Sequence, residues 1–150
     1  MYFKKIIQFI HLWLGLITGS LVFVIAITGA LYCFQSDILQ YTQPFRRASN
    51  DHNVVLSPSV IESKAKSYNP NRHLHSLLYS REEKSIQAIF YSFESYHEIV
   101  FIDPETGDYL GKHDVQHSFF GWILNGHFQL WLPAEIGRPV VSIATAIYFI

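Results

Sequence analysis

The sequence is poor in three things: cysteine, net charge and, along one stretch, charge of any kind. Its single cysteine, Cys33, excludes an intrachain disulfide, and its place in an apolar run leaves the redox compartment open. Lysine and arginine number 11 against 12 acidic residues, a net charge of −1. That balance excludes the basic footprint of a nucleic-acid binder and the acidic tail of a disordered segment, so no nucleic-acid partner is expected. No residue declares itself a catalytic acid, base or nucleophile, which leaves open whether the chain is an enzyme. The most informative absence covers residues 12–34: these 23 positions hold neither a charge nor a proline.

A helix over that stretch rises roughly 34 Å at about 1.5 Å per residue, and the hydrocarbon core of a bilayer is about 30 Å thick. The stretch predicts a membrane-spanning helix over about residues 6–34, with membrane lipid as its surroundings. Turned at 100° per residue, the helix has two unlike faces. His11, Gly15, Thr18, Gly19, Val22, Ala26, Gly29, Ala30 and Cys33 share one arc, while Leu14, Leu16, Ile17, Leu21, Phe23 and Ile27 lie opposite. Small faces let something come close, usually another helix, and Gly15-x-x-x-Gly19 is the common form. A flat ligand would come close in the same way, and an imidazole in lipid is costly unless paired or bound. The residues alone leave two readings open: a packing face with His11 at the headgroup boundary, or a ligand seat.

Hydrophobic residues make up 49% of the chain and are concentrated at its two ends, so a soluble middle of about residues 35–114 reads as one small extramembrane domain. The first apolar run is about twice as long as that of a signal peptide and lacks a clear small-residue cleavage site. Lys4 and Lys5 before the run nearly balance Arg46 and Arg47 after it; the short N-terminal flank favours an N-terminus inside.

Residues 37–56 are polar and irregular, with Pro44 and a Ser-Asn-Asp turn at 49–51, and read as a linker. Ser57 then offers an N-cap and Pro58 a first helical position, with Asn69-Pro70 as the stop. Strand-like runs follow at 73–79, 85–93 and 98–103, joined by loops at 81–84 and 94–97. Asp103-Pro-Glu-Thr-Gly-Asp reads as a turn before Tyr109-Leu110. One helix with three or four antiparallel strands makes an α+β domain over residues 57–112. Residues 113–136 read as an amphipathic connector broken at Pro133. A second apolar helix opens at Gly137-Arg-Pro139 and is still running at Ile150. We therefore expect a piece of a longer membrane protein.

His11-Leu-Trp-Leu-Gly15, followed by an apolar run ending Thr28-Gly29, resembles the first membrane helix of the PepSY-associated transmembrane family. The 57–70 helix, the strands and Phe101-Ile-Asp-Pro-Glu-Thr-Gly-Asp-Tyr-Leu110 are similar to a PepSY domain, and Gly126-His127-Phe-Gln-Leu-Trp before Gly137-Arg-Pro-Val-Val resembles the family's lead-in to its second helix. The resemblance covers nearly the whole chain, and the order and spacing of the motifs make it specific. It implies a fold class: an α-helical transmembrane protein with a small α+β, PepSY-like extramembrane domain. It also implies a multi-pass bacterial inner-membrane protein, iron-regulated, with its soluble domain periplasmic. Some members look like ferric-siderophore reductases that carry b-type haem between about four helices. Carried over residue by residue, His11 and His127 match the family's membrane histidines and would be the haem-binding, metal-ligating residues. The later helices, beyond Ile150, would supply their partners.

The sequence has eight histidines. His52, His73, His75, His97 and His113 lie in polar or strand contexts and read as surface or internally satisfied residues. His73-x-His75 would share a strand face and His113 and His117 a helix face, each a candidate metal pair. His11 and His127 differ in abutting apolar segments beside glycines. They stand on opposite sides of the one span between them, so the resemblance implies two haems rather than one. Three readings follow: haem-mediated transmembrane electron transfer to a ferric siderophore, a tethered PepSY module that binds or restrains a peptidase without redox activity, or a truncated remnant without function.

Overall fold

A computed structural model describes residues 2–47, 55–79, 85–93 and 95–149. The chain divides into two compact units, Met1–Gln35 with Phe119–Ile150 and Ser36–Ser118. His52, the turn at 49–51, the loop at 81–84 and Glu94 lie outside the described residues.

The first unit is helical. Helix α1 runs unbroken over Tyr2–Cys33, about 48 Å at the usual rise. It is the one helix among the described residues that is long and apolar enough to cross a bilayer. Its bulky side is bare: Leu12, Leu16, Ile17 and Phe23 are all exposed, as a face solvated by lipid tails would be. The two buried polar residues, Thr18 and Thr28, each return a hydroxyl hydrogen to the backbone one turn earlier, on Leu14 O and Val24 O at 2.8 Å, so no donor is stranded. Helix α4, Phe119–Gln129, buries Phe120, Ile123 and Gly126. Helix α5, Ala134–Tyr148, buries Gly137 and Ala144. Both pack on α1.

Helix α5 begins three residues before the expected Gly137. Pro133 stands at its N-cap and accepts from the amides of Ile136 and Gly137. Pro139 then falls in the second turn, where its missing N–H forfeits one early hydrogen bond without ending the helix. Between α4 and α5, Leu130 and Trp131 both adopt left-handed backbone, φ 55° and 58°. Such geometry is strained for side-chain-bearing residues and persists where the surroundings over-determine it. Here Trp131 Nε1 donates to Trp122 O at 2.9 Å, its ring lies 4.7 Å from that of Trp122, and it covers Gly126, where a Cβ would collide with it.

The second unit is α+β. Helix α3, Pro58–Tyr68, starts at Ser57 and stops at Asn69 as its caps predict. Strands β1 (Leu74–Tyr79), β2 (Ile86–Ser92), β3 (Tyr96–Ile102) and β4 (Tyr109–Asp114) form an antiparallel sheet in the order β1-β2-β3-β4. The alternation of β2 places Ile86, Ala88 and Phe90 on one face, where they bury with Val100 of β3 and Ile61 and Ala65 of α3. The β3–β4 turn is fixed by Asp103 Oδ1, which accepts from the amides of Glu105 and Thr106, and by Gly107 at φ 72°.

The opposite face of the sheet carries a strap made from residues read as irregular linker. Helix α2 covers Gln35–Thr42 and a 3₁₀ turn covers Pro44–Arg46. Asp37 sits in the first turn of α2 and Leu39 is buried, so one apolar anchor orders a polar stretch that has no helical periodicity of its own. Phe45 packs edge-on to Phe101 at 5.7 Å and over Gly111, where a Cβ would collide with its ring. The Arg46 guanidinium lies 5.0 Å from the Phe101 ring centre.

Candidate functional site: the His127 seat on α1

The site starts from a missing side chain. In a helix each side chain leans back over the preceding turn and screens the carbonyl four residues earlier. Gly29 screens nothing, so the Ile25 carbonyl is open from the side. His127 of α4 takes that opening: its Nδ1 lies 2.9 Å from Ile25 O. A Cβ on Gly29 would sit 2.9 Å from His127 Cε1 and 3.2 Å from Nδ1, closer than a side-chain carbon tolerates. Glycine thus lets the ring come this close.

The hydrogen bond also assigns the tautomer. A carbonyl only accepts, so Nδ1 must carry the hydrogen, and in the neutral ring Nε2 keeps a bare lone pair. Thr28 reinforces this. Its hydroxyl hydrogen is shared between Val24 O, at 2.8 Å, and Ile25 O, at 3.0 Å, and its oxygen stands 3.4 Å from Nδ1. No hydrogen-bond partner of Nε2 occurs among the described residues. The ring lines a cleft of about 350 Å³ with Val22, Ala26, Ala30, Thr145 and Tyr148, at the small end of ligand-pocket sizes. An imidazole fixed through Nδ1, with Nε2 unpartnered and the ring on an apolar cleft, has the arrangement of a protein ligand to a metal or haem iron. The seat fits the haem that the resemblance implies, in donor type, tautomer and low polarity.

His11 is different. It lies on α1, exposed, with no partner among the described residues. Gly15 and Gly19 likewise meet nothing within 4 Å of where a Cβ would stand, although Thr18 between them is buried. His11 and Gly29 are 18 residues apart, about 27 Å along the helix.

The remaining histidines fall elsewhere. His73 precedes β1, and the ladder shifts register between Leu74 and Ser76, so His73 and His75 do not alternate onto one strand face. His75 instead meets Tyr91, which meets His97 in turn, at ring distances of 5.8 and 5.3 Å. Tyr96 and His97 belong to β3, not to a loop. His113 and His117 share no helix, because β4 continues to Asp114. His117 Nδ1 stands 2.9 Å from Asp114 Oδ2. Burial alone would raise the Asp114 pKa, but hydrogen bonds from the His117 amide and ring hold it below its usual value. His113 is buried inside the domain rather than at its surface. No group of three or more His, Cys, Asp or Glu among the described residues could hold a metal. Sequence reasoning missed Ile25, whose contribution is a carbonyl and carries no side-chain signal; the neighbouring Thr28-Gly29 pair was the available clue.

No curated protein matches the sequence. The profile of the PepSY-associated TM region matches residues 8–150, and with a spanning-length apolar helix at its N-terminus and an α+β unit behind it the chain belongs to that membrane-protein family.

Proposed function

We propose that this protein is part of a haem-b electron path across the bacterial inner membrane, delivering one electron at a time to a ferric chelate such as a ferric siderophore. The observation that carries the reading is the His127 seat, where a carbonyl and a glycine together leave Nε2 bare in an apolar cleft. Bound there, haem would supply a one-electron iron couple whose potential responds to its axial ligand and surroundings. The chain's own residues do the rest. Ile25 O and Thr28 Oγ1 orient the imidazole, Gly29 admits it, and Val22, Ala26 and Ala30 present a close, water-poor wall.

His11 serves the other end of α1 in this reading. About 27 Å of helix separates it from the level of His127, whereas two axial nitrogens on one iron each lie on the order of 2 Å from it. Each histidine therefore belongs to its own iron, completed by a ligand from another helix. Reduction at the outer side frees the metal because iron(II) is held less tightly than iron(III) by hard oxygen donors. Lys4 and Lys5 on the short N-terminal flank, with the family resemblance, favour a cytoplasmic N-terminus and periplasmic residues 40–115 in this reading. A reporter that needs export should then be active when fused at Asn50.

Haem content by pyridine haemochrome on the full-length protein in membranes tests the assignment. His127→Ala and His11→Ala should each remove about half of the haem, and the double variant nearly all. Near-total loss in either single variant would mean one shared iron. Unchanged haem in both variants would mean that these histidines only pack, and no haem in the parent protein would leave a membrane-tethered PepSY module without redox function.

A further inference from the structure

The second unit contains a fully buried imidazole, and it does nothing for the proposed electron path. His113, near the end of β4, is 5% exposed. It lies under the strap: the Gln43 side-chain amide nitrogen is 3.0 Å from His113 Nδ1. An amide nitrogen only donates, so Nδ1 accepts and the hydrogen of the neutral ring sits on Nε2. Both His113 Nε2 and Gln43 Oε1 are buried with no hydrogen-bond partner. The pair is satisfied at one atom of each side chain and stranded at the other.

The charged surroundings are one-sided. From the strap, the Arg46 charge acts on the ring; from β3, His97 adds a second group that is positive when protonated; among the described residues the acidic group acting on it is Asp114, on β4 itself. Glu98, the other nearby carboxylate in sequence, is committed to Lys112 at 2.9 Å and to Asn69 at 2.8 Å. Among the contacts that hold the strap are Phe45 on Phe101 and over Gly111, Arg46 on Phe101, the Gln43–His113 bond, and Ser85 Oγ donating to Arg46 O at 2.6 Å.

The geometry points to His113 as an acid-released latch: a proton on its Nδ1 opposes the Gln43 N–H, so that the bond survives only if the amide turns its Oε1 to the ring, adds a positive charge in the field of Arg46, and frees the Gln43–Arg46 strap from the outer face of the sheet. The direction of its titration agrees. Burial, and after it the Arg46 charge, holds the His113 pKa below the ordinary imidazole value. A histidine depressed in the closed state stabilises that state fully above about pH 6.5, and the stabilisation is lost as pH falls from there towards the depressed pKa. One proton allows at most about a tenfold rise in the open population between about pH 7.5 and pH 5.5.

Hydrogen exchange on the full-length protein in nanodiscs reads this directly. The amides of Arg46 and Arg47 bond to Gln43 O and Pro44 O within the strap. Corrected for the chemical rate, their protection should fall up to tenfold on acidification while the β2–β3 ladder keeps its own. His113→Gln should remove the dependence. Gln43→Glu should hold the strap closed in acid, because a carboxylate accepts from the protonated ring, and His97→Gln should release like the parent. Strap protection that ignores pH in the parent protein would overturn the latch. So would joint loss of strap and ladder protection, or a Gln43→Glu variant that opens as readily as the parent. The parent profile decides even where a variant fails to fold.

Discussion

His127 and His113 are two imidazoles buried to different degrees, each bonded through Nδ1 and bare at Nε2, and they are built for opposite behaviour. The partner of His127 is a backbone carbonyl, which accepts only. The partner of His113 is an amide nitrogen, which donates only. The first fixes the hydrogen on Nδ1 and offers a lone pair at Nε2; the second fixes it on Nε2 and leaves Nδ1 vulnerable to a proton. The lesson is that one hydrogen-bond partner decides whether an imidazole serves as a ligand or responds to pH. Each site also relies on a glycine that makes room: Gly29 for His127, Gly111 for Phe45.

The two glycines break the comparison unequally. At Gly111 an added Cβ would overlap the root of the Phe45 ring, at Cγ as well as Cδ2. The ring cannot swing away without leaving Phe101, so Gly111→Ala should displace the strap at neutral pH. Overpacking of this kind costs about 1–3 kcal/mol, to be read as strap exchange that is fast at every pH and a lowered urea midpoint for the domain. A strap still protected in Gly111→Ala would show that Phe45 is not its anchor.

The acid response of the domain has a second source, which must be separated from His113. Burial alone would raise the Glu98 pKa, but hydrogen bonds from Lys112 and Asn69 and the charges of Lys112 and Arg72 hold it below its usual value. A depressed carboxylate stabilises the fold fully above its ordinary pKa and loses that contribution as pH falls through the lower, folded value. Glu98→Gln should therefore cost about 1–2 kcal/mol at neutral pH and flatten the stability curve below about pH 4.5. The window between about pH 6.5 and 5.5 belongs to His113 and should be unchanged in this variant. Urea unfolding followed across pH separates the two.

At the membrane helix the smaller clash at Gly29 should give a graded effect. A Cβ 2.9 Å from His127 Cε1 needs the ring to retreat by a few tenths of an ångström, which stretches the bond to Ile25 O. Gly29→Ala should cost about 1 kcal/mol and shift the spectrum of whatever His127 ligates, while His11-dependent haem stays as it was. An unchanged spectrum would disconnect the seat from ligation.

How much of this was legible in the sequence depends on what kind of signal each part left. The spanning helix, the Ser57 and Asn69 boundaries, the alternation of Ile86, Ala88 and Phe90 and the Asp103–Gly107 turn are local patterns, and the structure forms each of them. Helix α2 was not legible, because it is ordered by burial of Leu39 rather than by periodicity. His113 read as a surface or internally satisfied residue, or as one sharing a helix face with His117, since only the register against Ile99 places it under the strap. His127 could be singled out beside Gly126, but its partner is a carbonyl 102 residues away in sequence, and carbonyls look alike in every residue. The left-handed Leu130-Trp131 corner has no glycine to announce it; Trp131 stacking on Trp122 holds it.

The smallest expected effect concerns Thr28, and it asks how much of the His127 orientation comes from side chains. The Thr28 oxygen stands 3.4 Å from Nδ1, beyond good hydrogen-bond length, while Ile25 O is at 2.9 Å. The carbonyl should therefore dominate. Thr28→Val keeps the shape, removes the weak acceptor, and releases Val24 O and Ile25 O from their extra hydroxyl contact. Freed of that hydrogen, Ile25 O becomes the better acceptor for Nδ1, offsetting the lost contact. The net change should stay below about 0.5–1 kcal/mol, with haem content and spectrum equal to those of the parent. Thr28→Ser, which retains the hydroxyl, should be indistinguishable from both. If Thr28→Val instead loses haem as Gly29→Ala does, the tautomer of His127 is set by the hydroxyl rather than by the backbone, and the carbonyl account of the seat fails.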